Sequence, residues 1–222
     1  LILGDSQSQG IGNELRKLLN LHGNSVVHKG EHSEKTDKTL DKVKALPNKM
    51  TYDKVFVFSG GNNKADYAAQ QAQAKEIIAS FRETPGTVTW IGPPPATRVT
   101  NLSKARKMFG PKVKNDTYWL TSGYAEGREK RNNYLREAVK STNAVWVDVR
   151  KLGIPGELQL PGVEFPSQED GIHVKGNTSK KIAEYLFTFP GKKTLVVPVL
   201  IASAAAVAAA WYFSRKQKRK RT

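Results

Sequence analysis

Three separated stretches of this chain carry side chains suited to acyl transfer. Ser6 closes the tripeptide Gly4-Asp5-Ser6 at the end of a short apolar run, Leu1-Ile2-Leu3. A serine hydroxyl is a poor nucleophile until a base takes its proton, and the base works best when a third group orients it. Among the four histidines, His173 alone has a carboxylate three residues upstream, in Asp170-Gly171-Ile172-His173. On a turn, that spacing lets one loop present both groups. The oxyanion of an acyl-transfer intermediate also needs fixed donors. Ser59-Gly60-Gly61-Asn62-Asn63 follows the strongest apolar run, Val55–Phe58, where the Asn62 amide could donate. The Ser6 backbone N–H, at the start of the next helix, is a second donor.

Other chemistries are poorly served. No cysteine is present, which excludes a disulfide framework, a thiol nucleophile and thiolate metal sites. His28 and His32 bracket Lys-Gly-Glu at an i, i+4 spacing, but no third ligand accompanies them, so no metal is expected. His22 follows a helix and reads as a surface residue. Gly10-Ile11-Gly12 begins like a nucleotide-binding loop, yet Leu15 holds the third-glycine position and no Gly-Lys-Ser/Thr occurs. No cofactor is expected.

The elements that must position these residues alternate. Leu1–Gly4, Ser25–His28, Val55–Phe58, Thr87–Ile91 and Ala144–Val147 read as strands. Gly12–Leu21, Thr39–Leu46, Lys64–Arg82, Gly123–Lys140 and Asn177–Phe187 read as helices. The continuous apolar run Val55–Phe58 fits a strand buried on both faces, and the alternation predicts a parallel sheet covered by helices. Two stretches break the rhythm and read as long loops. Thr97–Leu120 is basic, with Lys104, Arg106, Lys107, Lys112 and Lys114, and Asp148–Glu169 is rich in Gly and Pro.

Taken together, Gly4-Asp5-Ser6, Gly60-Gly61-Asn62 and Asp170-Gly171-Ile172-His173 resemble the sequence blocks of the SGNH/GDSL hydrolases, over most of residues 1–189. The resemblance implies a flavodoxin-like three-layer α/β/α sandwich around a mostly parallel five-stranded sheet. It implies Ser6 as nucleophile, His173 as base, Asp170 as its orienter and Asn62 as oxyanion donor. Two departures stand out. Asn63 follows Asn62 where the family commonly has Asp, and the glycine block after the second strand is indistinct. Either Gly30 or Ser33 could supply that backbone donor. The implied substrate is an acylated or acetylated glycan, peptidoglycan or lipid.

The C-terminus differs in kind. The boundaries read as a hydrolase-like domain at 1–190, a linker at 191–194, an apolar span at 195–213 and a basic tail at 214–222. The span holds no charged residue over nineteen positions and ends in Trp211, Tyr212 and Phe213. At 1.5 Å per residue, nineteen residues nearly span a hydrocarbon core about 30 Å thick. Six cations between Arg215 and Arg221 follow, leaving +10 of the formal +16 on the remainder. A single-pass anchor with its tail in the cytoplasm or inside an enclosed particle such as a virion is expected. Anionic lipid or nucleic acid could meet that tail. Leu1 opens inside a strand-like run, which leaves room for a preceding segment. The competing reading is a non-catalytic membrane or virion protein that keeps the fold as a binding module. A nucleic-acid-binding protein fits less well, because the cations gather in one run and one loop and no such motif stands out.

Overall fold

The structure is a computed structural model that describes residues 1–63, 66–83, 87–160 and 163–189. Residues 1–189 form one compact unit. The expected span at 195–213 and the tail at 214–222 lie outside the described residues. Among the described residues, no helix is long and apolar enough to cross a membrane.

Five parallel strands form the sheet: β1 (Ile2–Gly4), β2 (His28–Gly30), β3 (Lys54–Phe58), β4 (Thr87–Ile91) and β5 (Val145–Val147), in the order β2-β1-β3-β4-β5. Successive residues of a strand face opposite sides of a sheet, so an apolar run must feed two cores. It does. Leu3, Val55, Val57, Val88 and Trp90 enter one core, with residues of α2 (Thr36–Lys44), α3 (Tyr67–Ala79) and α6 (Tyr124–Lys140). Ile2, Phe56, Phe58, Ile91 and Val147 enter the other, with residues of α1 (Asn13–Leu21) and α7 (Gly176–Thr188). The result is a three-layer sandwich, as the alternation of strands and helices predicts.

Gly4 ends β1 at φ +124°, and a Cβ there would lie 1.8 Å from the Phe58 carbonyl oxygen. Only glycine lets β1 and β3 meet at this point, where the Asp5 N–H also donates to Phe58 O at 2.7 Å. The chain then turns directly into a π-helical turn, Ser8–Gly12, that runs on into α1.

Three expectations are corrected. The second strand lies at His28–Gly30, not Ser25–His28, because parallel register with β1 pairs Ile2 with His28 and Gly4 with Gly30. Val26 and Val27 precede the ladder, with the Val27 carbonyl accepting from Ile2 N–H. The stretch Thr97–Leu120 is not an open loop. It holds α4 (Leu102–Phe109) and the start of the short α5 (Tyr118–Thr121), packed on a third core of Ala96, Val99, Ala105, Val113, Trp119, Ala125 and Ile172. Asn101 caps α4 by accepting from the Lys104 N–H at 3.0 Å. Within Asp148–Glu169, a 3-10 turn (Val149–Lys151) and an antiparallel hairpin of β6 (Glu157–Leu160) and β7 (Val163–Phe165) replace the expected irregular segment.

Candidate active site

The carboxyl ends of β1 and β3 and the segment before α7 converge at one edge of the sheet, the usual location of sites in open α/β folds. Ser6, one residue past the β1 turn, donates from Oγ to His173 Nε2 at 2.9 Å. His173 Nδ1 donates to Asp170 Oδ2 at 2.8 Å. A carboxylate can only accept, so the proton of the neutral imidazole sits on Nδ1 and the Nε2 lone pair faces Ser6. Asp170 is 1% exposed. Burial alone would push its carboxyl up, but the His173 ring and the backbone N–H groups of His173 and Ile172 outweigh it and bring it down to about 2. Asp170 is therefore ionised at neutral pH.

Residues invisible to motif spacing hold this arrangement. Gln7, buried beside Ser6, donates through Nε2 to Ile172 O at 3.0 Å and accepts from Val174 N–H at 3.3 Å. It thereby clasps the backbone on both sides of His173. The Trp119 indole donates to Asp170 O at 2.8 Å, and the Phe109 ring stacks on the imidazole with centroids 6.0 Å apart. Gly171, at φ +78°, leaves room for Trp119, whose Cδ1 would lie 2.5 Å from a Cβ there. The edge of the third core, Thr97–Asn101, is bonded to the same loop: Thr97 N–H to Gly171 O at 2.8 Å and Asn101 N–H to Glu169 O at 2.9 Å.

The donor segments are tied to one another. Asn62, half-buried past β3, uses one amide N–H on Glu34 O at 3.1 Å, which leaves its second amide hydrogen for a ligand. Asn63, the residue that departs from the resembled pattern, pairs reciprocally with Thr36: it accepts from the Thr36 N–H at 2.9 Å and donates to Thr36 Oγ1 at 2.6 Å. Thr36 Oγ1 in turn meets Ser59 Oγ at 3.1 Å. Asparagine performs both halves of this exchange, since its amide offers a donor and an acceptor. The loop after β2 is thus fastened to the end of β3. Of the two alternatives for the second backbone donor, Gly30 lies within β2, and a Cβ on it would strike Ser8 Oγ at 1.7 Å. Ser33 stands in the following loop at φ +59°, the only non-glycine at positive φ among the described residues.

Asp5 is the buried carboxyl under this edge. It accepts from the Gln7 N–H at 2.9 Å and from the Gly61 N–H. Desolvation raises it to about 6, against these two bonds and the charge of buried Arg128. A raised folded-state value means that the native protein holds this proton after the unfolded chain has released it. The stability this confers is complete below about pH 4 and lost as pH rises through 6. Asp5→Asn is therefore expected to gain on the wild type by about 2–3 kcal/mol between pH 4 and pH 7, whatever its offset at pH 4, in urea unfolding followed across that range.

Among the described residues, no cluster of His, Asp and Glu could hold a metal ion. His28 sits in β2 and His32 in the loop beyond it, and His22 is exposed after α1.

No family model matches the sequence, and no curated protein matches it. Solved structures do. A lipase/acylhydrolase from Enterococcus faecalis superposes with a TM-score of 0.56 at 17% identity, over 84% of this chain and 92% of that one. An acetylxylan esterase from Geobacillus stearothermophilus gives 0.59 at 11% identity, over 87% and 95%. A GDSL-like lipase from Bacteroides thetaiotaomicron gives 0.56 at 11% identity, over 83% of each chain. The fold is that of the GDSL esterases and acylhydrolases. At these identities the likeness concerns the fold, and the chemistry must be argued from the site itself.

Proposed function

We propose that this chain is a serine hydrolase that cleaves a carboxylic ester through Ser6, His173 and Asp170. The observation that carries the proposal is the unbroken Ser6–His173–Asp170 relay at 2.9 and 2.8 Å, with the imidazole tautomer set by an ionised carboxylate. Ser6 Oγ attacks the ester carbonyl carbon as its proton passes to His173 Nε2. The tetrahedral oxyanion is met by the Ser6 N–H, the Asn62 amide and a backbone N–H of the Gly30–Ser33 segment. Collapse breaks the bond to the alcohol oxygen, which takes the proton from Nε2, and leaves an acyl-Ser6 ester. Water then attacks that ester, Nε2 takes its proton, and the second collapse returns a proton to Ser6 Oγ and frees the carboxylic acid. Asp170 keeps the imidazole oriented and stabilises the imidazolium without itself taking the proton.

Structural neighbours that include lipases and an acetylxylan esterase support an acylated substrate. The uncharged composition of residues 195–213 and the cations beyond support anchoring of the domain to a membrane by that segment. Labelling of the full chain with a fluorophosphonate tests the nucleophile. Covalent attachment at Ser6, located by mass spectrometry, is the expected result, and an unlabelled Ser6 in folded protein overturns the proposal in favour of a non-catalytic module. Removing one oxyanion donor usually slows acyl transfer by about 10²–10³-fold. Asn62→Ala is expected to lower kcat on p-nitrophenyl acetate by that amount while Ser6 still reacts with the fluorophosphonate.

A further inference from the structure

Beside Ser6 and His173 runs a groove of about 630 Å³, bounded by the exposed side of α1, the first turn of α7 and the end of α4. Its volume lies within the range of small-molecule sites. Its walls are unlike those of a site for a long acyl chain. Met108 and Val174 are the only large apolar side chains along it, whereas alkyl groups are held by extended apolar surface.

The polar walls have a definite character. Gln9 and Asn13 each use one amide N–H within the protein, on Gly30 O and Gln9 O respectively, and keep the second. Their two amide oxygens enter no hydrogen bond among the described residues, so each amide in the groove wall has an acceptor and one donor left, the complement of hydroxyl groups, which both donate and accept. Arg16, Lys17 and Lys175 also line the groove, against one carboxylate, Glu14. Glu14 pairs with Lys17 at 2.7 Å, while Arg16 and Lys175 form no ion pair among the described residues. Two cations thus stand at the mouth of the groove without internal neutralisation. A concave surface lined by one sign of charge concentrates ligands of the other sign.

We propose that this groove takes an acidic glycan, a hydroxyl-rich chain bearing carboxylate or phosphate groups, and presents its short acyl ester to Ser6. The inference rests on the hydrolase function proposed above for what happens at Ser6, but the binding it describes is independent of turnover. Sugar hydroxyls donate to Gln9 and Asn13, and the anionic groups meet Arg16 and Lys175. The shallow apolar contact at Met108 accommodates an acyl group of a few carbons.

The test is calorimetric titration of the full chain in non-ionic detergent with hexagalacturonate and, in parallel, with neutral xylohexaose. Hexagalacturonate is expected to bind at least about tenfold more tightly at low salt, with the advantage shrinking to about twofold near 0.5 M NaCl. The basic C-terminal tail could also attract a polyanion, so the same titration is run on Arg16→Glu combined with Lys175→Glu. Loss of the tenfold preference in this variant, with its thermal midpoint kept, supports the groove. Survival of the preference assigns the binding elsewhere and overturns the inference. So does equal affinity of the two oligosaccharides for the wild type. Hexagalacturonate should also slow fluorophosphonate labelling of Ser6, and labelling at an unchanged rate under saturating hexagalacturonate overturns the placement beside Ser6. Hydrolysis of p-nitrophenyl acetate by the wild type separates the two proposals. A chain that binds hexagalacturonate but hydrolyses no ester keeps the groove and loses the hydrolase reading, while an active esterase indifferent to hexagalacturonate does the reverse.

Discussion

Ser6→Ala is expected to lower kcat on p-nitrophenyl acetate by roughly 10⁴–10⁶-fold, the cost of removing a serine nucleophile that acts as a unit with its base. The variant should fold. Ser6 is small, its Oγ makes its hydrogen bond to a half-buried imidazole, and nothing packs through it into either main core. The turn that presents it is held by other groups: Gly4 against Phe58, the Asp5 carboxylate on the Gln7 N–H, and Ser8 Oγ donating to Asp5 O at 2.6 Å. Its thermal midpoint should therefore stay within a few degrees of the wild type, as for a loss of about 1 kcal/mol or less. The residual rate should be that of the oxyanion donors and of binding alone. Steady-state kinetics beside a thermal melt check both halves. A variant as active as the wild type would remove Ser6 from the chemistry.

Asp170→Asn is expected to cost about 10³–10⁴-fold in kcat, and its signature is a tautomer rather than a hole. The carboxylate accepts three times in this structure, from the His173 ring at 2.8 Å, from its own loop at His173 N–H, also 2.8 Å, and from Ile172 N–H at 3.0 Å. An asparagine oxygen can keep the two backbone bonds on the Oδ1 side. Its NH₂ group, facing Nδ1, donates where the carboxylate accepted, so the ring proton moves to Nε2 and the lone pair no longer faces Ser6. Turnover falls while the fold is retained. Proton-detected imidazole nitrogen shifts distinguish the tautomers directly. The wild type also carries an acid-side consequence of the same pair. Its folded-state value near 2 lies below the ordinary carboxylate range, so the stabilisation is complete above about pH 4 and drains away between pH 4 and pH 2.

Much of this architecture is legible in the sequence because buried parallel strands and helix faces leave strong periodic patterns. Thr87–Ile91 coincides with β4, and Gly123–Lys140 differs from α6 by one residue. The Ser6, Asn62 and Asp170/His173 segments each follow a strand or precede a helix, so their convergence at one sheet edge follows from the parallel topology. The second strand leaves a weaker sequence signal because its position is set by pairing with β1, not by Val26 and Val27. Helix α4 hides for another reason. It is short and its apolar face, Leu102, Ala105 and Phe109, serves a small satellite core, while its cations dominate the composition. The Asn101 cap and that i, i+3, i+7 spacing are the signals that could have revealed it. Gln7, Thr36, Phe109 and Trp119 act across long sequence separations and have no local signature at all.

The satellite core has a consequence for how the site comes apart. Trp119 holds the Asp170 carbonyl, Phe109 covers the imidazole, and Thr97–Asn101 is laced to Gln168–Gly171. The acid–base loop and the basic excursion are therefore packed and hydrogen-bonded to each other and are expected to open together. Subglobal opening of α4 should expose the amides of Ile172 and His173 to hydrogen exchange together with those of α4, while β1 and β3 remain protected to the level of global unfolding. Cleavage within 97–121 would then release the base from its nucleophile rather than merely widen the entrance to it.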